Sequence, residues 1–298
     1  MEKINLMALR HSAFYSPYLM TFAGPFLKEQ GLDPFYKVAT AGCGVDESIL
    51  NDSCHVAQSA VATRFAGLEA GEDSNIVHFA QINARDGFYL AGREQDTTFN
   101  WQKLKGKKIL VDHFFQPYAM LNYALYKNGM SMSDFEVIDA GSVDQIEQAF
   151  RNGEADYLHM QGPYPQQLEA EGLASVVASV GEQVGDVAFS SLCADKNWLT
   201  SDMARAFLRA YQKSMDYVIE APAEEIAVRE IEAGLFPDTD PAVLSATIQT
   251  YKRLGCWQSD TIITPQAIET LQNVFLKSGH ISKRYDYNQL VASIKNVD

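Results

Sequence analysis

The sequence predicts an α/β protein of two doubly wound units, and three observations carry that expectation. Residues 101–164 alternate strand, helix, strand, helix, strand, as WQKLKGKKILVD, HFFQPYAMLNYALYKNGMS and FEVIDAGSVDQIEQAFRNGEADYLHMQGPY. The first 90 or so residues show a similar alternation. In both series the strands stop at polar, aromatic-rich loops that open the next element. That arrangement builds a parallel sheet whose strand ends form one wall of a ligand cleft, and two such series give two facing walls.

The elements follow in order. Ile4 to Leu9 is an apolar strand, and Ser16-Pro17 starts a helix with a side-chain cap and a proline preset for the first turn. Pro25 predicts a kink in that helix. Phe35 to Thr40, Cys54 to Gln58 and Ile76 to Gln81 are the next strands, with Ser59 capping a helix that ends near Gly71. Phe88 to Arg93 is a strand leaving this unit. In the second unit one helix runs from about Pro117 to Asn128 and stops at Gly129, and a second opens at Ser142 with Gln145 in the capping-box position. Leu173 to Val180 adds a strand, and Val187 to Ala194 returns the chain to the first unit. The remainder is helical, with Pro222, Pro241 and Pro265 at starts and Gly234, Gly255 and Gly279 at stops.

Composition narrows the function. A net charge of -14 argues against nucleic acid and against anionic membrane surfaces, both of which need clustered Lys and Arg. No basic region with an apolar core opens the chain, and no run of about 18 apolar residues occurs, so direct membrane insertion is not expected. The four cysteines form no CxxC pair, which leaves free thiols or two disulfides.

Ligands of open α/β sheets lie beyond the carboxyl ends of the strands, where helix N-termini offer free N–H groups. This rule selects the loops 11–16, 42–45, 58–60, 112–118 and 161–164, with 81–83 as a sixth. The candidate ligand-binding residues are His11, Tyr15, Ser16, Gly42, Cys43, Gly44, Gln58, Ser59, Gln81, Asn83, Asp112, His113, Gln116, Tyr118, Gln161 and Tyr164. Aromatic faces and amide groups suit a flat heterocycle. Arg10 is the one basic residue nearby, whereas a sulfonate or nitrate site often uses an arginine clamp. His11, His113 and His159 stand at strand ends, and His11 and His113 could meet across a closed cleft. No paired spacing such as HxxxH supports a metal there, so hydrogen bonding is the favoured role and no metal or cofactor is expected. Asp46 and Asp112 suit helix caps as well as ligand contacts.

The order LKGKKILVD, ALYKNGMSMSDFEVI, QAFRNGEADYLHMQGPY, FSSLCADKNWL and YKRLGCWQSD, then SGHISKRYDYNQLV, resembles the solute-binding proteins of nitrate/sulfonate/taurine-type ABC importers. It is also similar to the related thiamine-pyrimidine precursor proteins, some of which are cytosolic enzymes in fungi. The resemblance implies a type II periplasmic-binding-protein fold: lobe one from residues 1–92 and 190–298, lobe two from 93–189. Hinge crossovers would fall near Gly92–Asp96 and Asp186–Ser190. It implies a small-molecule ligand, a pyrimidine-like or other aromatic heterocycle or a sulfonate, gripped by hinge closure for import through ABC-importer membrane subunits. The location would be periplasmic or cell-surface if a signal has been removed, and cytoplasmic otherwise. The competing reading is a signal-less enzyme or sensor of the thiamine-pyrimidine synthase type. The CCCFC motif of the fungal enzymes is absent, with Ala41-Gly42-Cys43-Gly44 the nearest approach, which favours a binding protein.

Overall fold

The structure, a computed structural model, describes residues 1–292. Ten strands form two five-stranded sheets. In the first, β1 (Glu2–Ala8), β2 (Leu32–Val38), β3 (Val56–Ser59), β4 (Ile76–Asn83) and β10 (Ser190–Asp195) stand in the order β2-β1-β3-β10-β4. In the second, β5 (Phe88–Gly92), β6 (Lys108–Val111), β7 (Glu136–Ile138), β8 (Tyr157–Gln161) and β9 (Ser175–Ser179) stand in the order β7-β6-β8-β5-β9. Each sheet pairs its first three strands in parallel and admits one antiparallel strand that has crossed from the other lobe. The repeated order is the type II topology.

Strand β5 falls differently from its expected place at the end of lobe one. Phe88–Gly92 pairs with β8 and β9 in the second sheet. The first crossover is therefore residues 84–87, one strand earlier than Gly92–Asp96. The second is residues 185–189, in the expected region. The two crossovers lie side by side: the Val187 N–H donates to the Ala84 carbonyl at 2.8 Å, and Arg85 pairs with Asp186 at 2.9 Å.

Local chemistry explains the helices. α1 (Ser16–Ala23) ends at Gly24 and a separate short turn, Phe26–Glu29, follows Pro25, so the proline breaks the helix rather than bending it. Ser16 does not cap α1; its hydroxyl donates to the Ala13 carbonyl, and Ser12 caps the preceding 3-10 turn by accepting from Phe14 N–H at 3.1 Å. α2 (Phe115–Lys127) follows β6. α3 (Val143–Arg151) opens on the expected capping box of Ser142 and Gln145, and α4 (Tyr164–Ala170) follows β8. In the helical tail, α5 (Asp202–Glu220) buries Phe207, Ala210, Tyr211, Ser214 and Val218, the spacing of one helix face. α6 (Ala223–Glu232) comes next. α7 (Pro241–Leu254) and α8 (Pro265–Lys277) carry proline in their first turns behind Asp240 and Thr264 caps, and α7 stops at Gly255 with φ 67°.

One apolar cluster runs through both lobes. Phe14 of lobe one packs at 5.4 Å on Phe189 of the second crossover and at 4.8 Å on Tyr251 of α7, and Phe88 of β5 lies 6.3 Å from Phe189. Burying such a side chain contributes about 1.5–3 kcal/mol, so closing the lobes adds to the stability of the whole. All four cysteine thiols are free.

Candidate functional site

The lobes are closed on one another, and three polar contacts hold them. Arg10, at the end of β1, pairs with Asp112, at the end of β6, at 2.8 Å. Ser12 donates to the Gly162 carbonyl at 2.8 Å, while the Gly162 N–H donates to the Tyr251 hydroxyl at 2.8 Å. Lobe one thus takes both backbone polar groups of one lobe-two residue.

Two cavities meet at Arg10. A larger one of about 200 Å³ is lined by Arg10, His11, Ser12, Asp112, Val143, Met160, Gln161, Gly162 and Tyr164. A smaller one of about 30 Å³ is lined by Leu9, Arg10, Tyr15, Gln58, Ala60, Phe88, Phe114, Gln116, Pro117, Phe189 and Ser190. Seven of the sixteen candidates therefore border the cleft: His11, Tyr15, Gln58, Asp112, Gln116, Gln161 and Tyr164.

Their hydrogen bonds define what the cleft offers. Gln58 accepts from the Leu9 and Arg10 N–H groups at 3.1 and 3.3 Å, so it shapes the loop that carries Arg10. Asp112 divides its oxygens, one to Arg10 and one to the Phe114 N–H at 2.9 Å; that second bond closes a turn ahead of α2, whose N-cap is Phe114, so Asp112 is an ion-pair partner rather than the expected helix cap. Gln116 donates to the Phe189 carbonyl at 2.6 Å. Among the described residues, Arg10 Nη1, Gln116 Oε1 and Gln161 Nε2 are buried without a partner. The Arg10 guanidinium also lies 5.0 Å from the Phe114 ring. Burial raises the Tyr15 hydroxyl pKa, against the lowering pull of Arg10.

His11 borders the larger cavity with its ring rather than a free nitrogen. Nε2 must donate to the Leu235 carbonyl at 2.7 Å, which makes Nδ1 the acceptor of the Tyr36 hydroxyl at 2.9 Å. Burial keeps the ring neutral by lowering its pKa. His113 points elsewhere, with Nδ1 on the Val111 carbonyl at 2.8 Å and its ring stacked on Tyr118 at 5.0 Å. No hydrogen bond or ring contact joins His11 to His113. His159 is fully buried under Phe88 at 4.9 Å, and neither ring nitrogen has a partner among the described residues. Burial pushes it down to about 4.

The other candidates fall outside both cavities. Ser16 is inside α1, and Ser59 is the buried last residue of β3. Gln81 donates to the Asn83 and Val187 carbonyls at 3.1 and 3.4 Å; Asn83 donates to the Phe14 carbonyl at 2.7 Å and accepts from Ser190. These two amides support the crossovers. Gly42, Cys43 and Gly44 form a turn beyond edge strand β2, closed by the Thr40–Cys43 bridge. Hydrogen bonds with Ser48 and Lys37 lower the Cys43 thiol pKa. Tyr118 lies on α2 away from the cavities, packed against the lobe core. Arg10, which lines both cavities, was passed over by the strand-end rule although it lies just past the end of β1.

Near Ser16 and Tyr36, Glu230 of α6 is fully buried, and neither carboxyl oxygen makes a well-formed hydrogen bond among the described residues. Burial pushes it up to about 8, above the ordinary carboxylate value of about 4.3. The folded protein therefore holds a proton there that the unfolded chain loses. Stability falls as pH rises through that window, by at most ~1.4 kcal/mol per unit for this group. Glu230→Gln is expected to remove this dependence. Its melting temperature should gain on the wild type between pH 6 and pH 8.5 and show little difference near pH 4. A constant difference across pH would place the Glu230 carboxyl in a hydrated setting.

The fold and its central cleft define a class: a two-lobed protein of the type II periplasmic-binding-protein fold. The family profile described as NMT1/THI5 like matches residues 15–225. The chain belongs to that family. It is 29% identical over 295 residues to the Bacillus subtilis (strain 168) protein called "Putative binding protein YtlA", covering 98% of this chain and 88% of that one. Among solved structures, it is similar to the periplasmic aliphatic sulphonate binding protein SsuA from Escherichia coli, with TM-score 0.76, 14% identity, and coverage of 100% and 94%. It is also similar to the alkanesulfonate-binding protein SsuA from Xanthomonas axonopodis pv. citri bound to MOPS, with TM-score 0.74, 16% identity, and coverage of 98% and 99%. At these identities the structural likeness bears on the fold. No helix among the described residues is long and apolar enough to cross a membrane.

Proposed function

We propose that this protein is the solute-binding component of an ABC-type importer and holds a small, flat, uncharged heterocycle of pyrimidine type between its lobes. One observation carries the reading: Arg10 Nη1, Gln116 Oε1 and Gln161 Nε2 are buried and unpaired around the two cavities that meet at Arg10. Buried polar atoms are costly without partners, and a ligand with acceptors and a donor on its edge supplies them. Tyr15, Phe88, Phe114 and Phe189 provide apolar ring surface beside them. Asp112 neutralises the one cation at the site, which favours an uncharged ring over a sulfonate. The small volume fits a single ring. The lobes, 1–83 with 190–292 and 88–184, would move as bodies about the crossovers, admitting the ligand and then presenting the closed form to the importer's membrane subunits. This work would take place outside the membrane, in a periplasmic or cell-surface setting.

Thermal melts against pyrimidines, other nitrogen heterocycles, taurine, alkanesulfonates and nitrate test this. A true ligand at a hundred times its dissociation constant stabilises by about 2.7 kcal/mol, several degrees in melting temperature. A shift from a heterocycle is the expected result. A shift confined to sulfonates overturns the ligand class, and no shift across the panel overturns the binding reading.

A further inference from the structure

Asp86 stands in the middle of the first crossover with no exposed surface. Its Oδ1 accepts from the Phe88 N–H at 2.6 Å, and its Oδ2 has no partner among the described residues. The crossover that carries the carboxyl is packed from both lobes: Gly181 of lobe two lies against the Asp86 carbonyl, and Tyr251 of lobe one donates to the Gly87 carbonyl at 3.2 Å and lies 5.9 Å from the Tyr89 ring of lobe two. The titratable groups that interact with Asp86 through their charge are Tyr15, Tyr251 and Cys256 of lobe one and Tyr89 and Asp112 of lobe two. None of these is a cation. Arg85, next in sequence, is committed to Asp186 and to the Leu254 carbonyl at 2.9 Å each, and Arg10 is committed to Asp112. The Tyr89 hydroxyl is likewise buried without a partner. A charged carboxylate here would be both desolvated and uncompensated, a state that proteins avoid by neutralising the group.

We propose that closing of the two lobes takes up one proton at Asp86, so that the closed form gains on the open form as pH falls. The packing around this crossover depends on closure, because it sets Tyr251 of one lobe against Tyr89 of the other and Gly181 of lobe two against Asp86 itself. Opening separates them and admits water. In the closed form burial pushes Asp86 up to about 8, whereas a hydrated aspartate sits at about 3.9. The sign follows from linkage: the closed form binds the extra proton between those values. The open-to-closed ratio therefore rises up to about tenfold per pH unit between roughly 5 and 8, and levels off above. The inference rests on hinge closure as proposed above, but its test needs no ligand.

The test is small-angle scattering of the whole protein, without added solute, from pH 5 to pH 9. The radius of gyration of the wild type should grow as pH rises and reach its plateau near pH 8. Asp86→Asn, which keeps the shape and removes the charge, should hold the low-pH radius throughout. Glu230→Gln should behave as the wild type, since Glu230 lies within lobe one. If Asp86→Asn fails to fold, a carbon-13 titration of the wild-type Asp86 carboxyl replaces it: a midpoint near 8 that coincides with the expansion supports the proposal. A midpoint near 4, an unchanging wild-type radius, or an Asp86→Asn variant that expands like the wild type overturns it. Expansion with no hit in the solute panel would leave proton-linked closure standing and remove solute binding; a hit without expansion would do the reverse.

Discussion

Arg10→Met is expected to lower ligand affinity by about a hundredfold. The methionine keeps the apolar stem and deletes two things at once. One is the unpaired Nη1 donor at the junction of the cavities, and the other is the 2.8 Å pair with Asp112 that ties the lobes together. Breaking a fully buried pair costs about 3–5 kcal/mol because the surviving charge is left stranded. The Arg10 side chain is 21% exposed and that of Asp112 9%, so solvent screening lowers the figure to about 2–3 kcal/mol. That loss falls on the closed form, where the pair exists. Titration calorimetry of Arg10→Met, Asp112→Asn and the double variant with a heterocycle that shifts the melting temperature would separate the contributions. If the pair acts as a strap, the double variant should recover part of what Arg10→Met loses. Wild-type affinity in Arg10→Met would remove Arg10 from the site altogether.

Gly181→Ala is the second large effect, and it concerns the framework. Gly181 is the second residue of the short helix Val180–Val184 that leads to the return crossover, and a Cβ there would stand 2.2 Å from the Asp86 carbonyl oxygen. The obstacle is backbone of the first crossover, which cannot rotate aside as a side chain would. Overpacking of this kind costs about 1–3 kcal/mol and more where the neighbour is rigid, so the upper end applies. Denaturant unfolding should show the midpoint falling with an unchanged slope. A loss below 0.5 kcal/mol, on the order of an ordinary surface change, would mean that the crossovers do not pack this tightly.

The helix starts were legible because each is local chemistry. Ser142 with Gln145, Asp240 before Pro241 and Thr264 before Pro265 announce themselves within four residues. Strand membership is not local. Phe88-Tyr-Leu-Ala is apolar enough to sit inside either sheet, and only pairing with β8 and β9 decides it. The same limit shaped the candidate site. The strand-end rule selects all strand ends alike, so it reached Gln58, Asp112 and Gln161, which border the cleft. It also admitted the Gly42–Gly44 turn, because the edge position of β2 is a matter of strand order. Tyr118 failed for a helical reason: Gln116 points into the cleft, and a residue two further on is rotated about 200° around the axis. Arg10 was visible in the sequence, but its partner lies 102 residues away.

The strand order also bears on how the chain is made. Between β3 and β4 the first sheet leaves a gap that only Ser190–Asp195 fills. A ribosome therefore releases the N-terminal third with two unpaired strand edges and must add more than a hundred residues before either is covered. The second sheet uses only residues 88–179 and is complete as soon as β9 emerges. Synthesis thus delivers the middle of the chain as the earliest finished unit, while its beginning waits, open-edged, for its end.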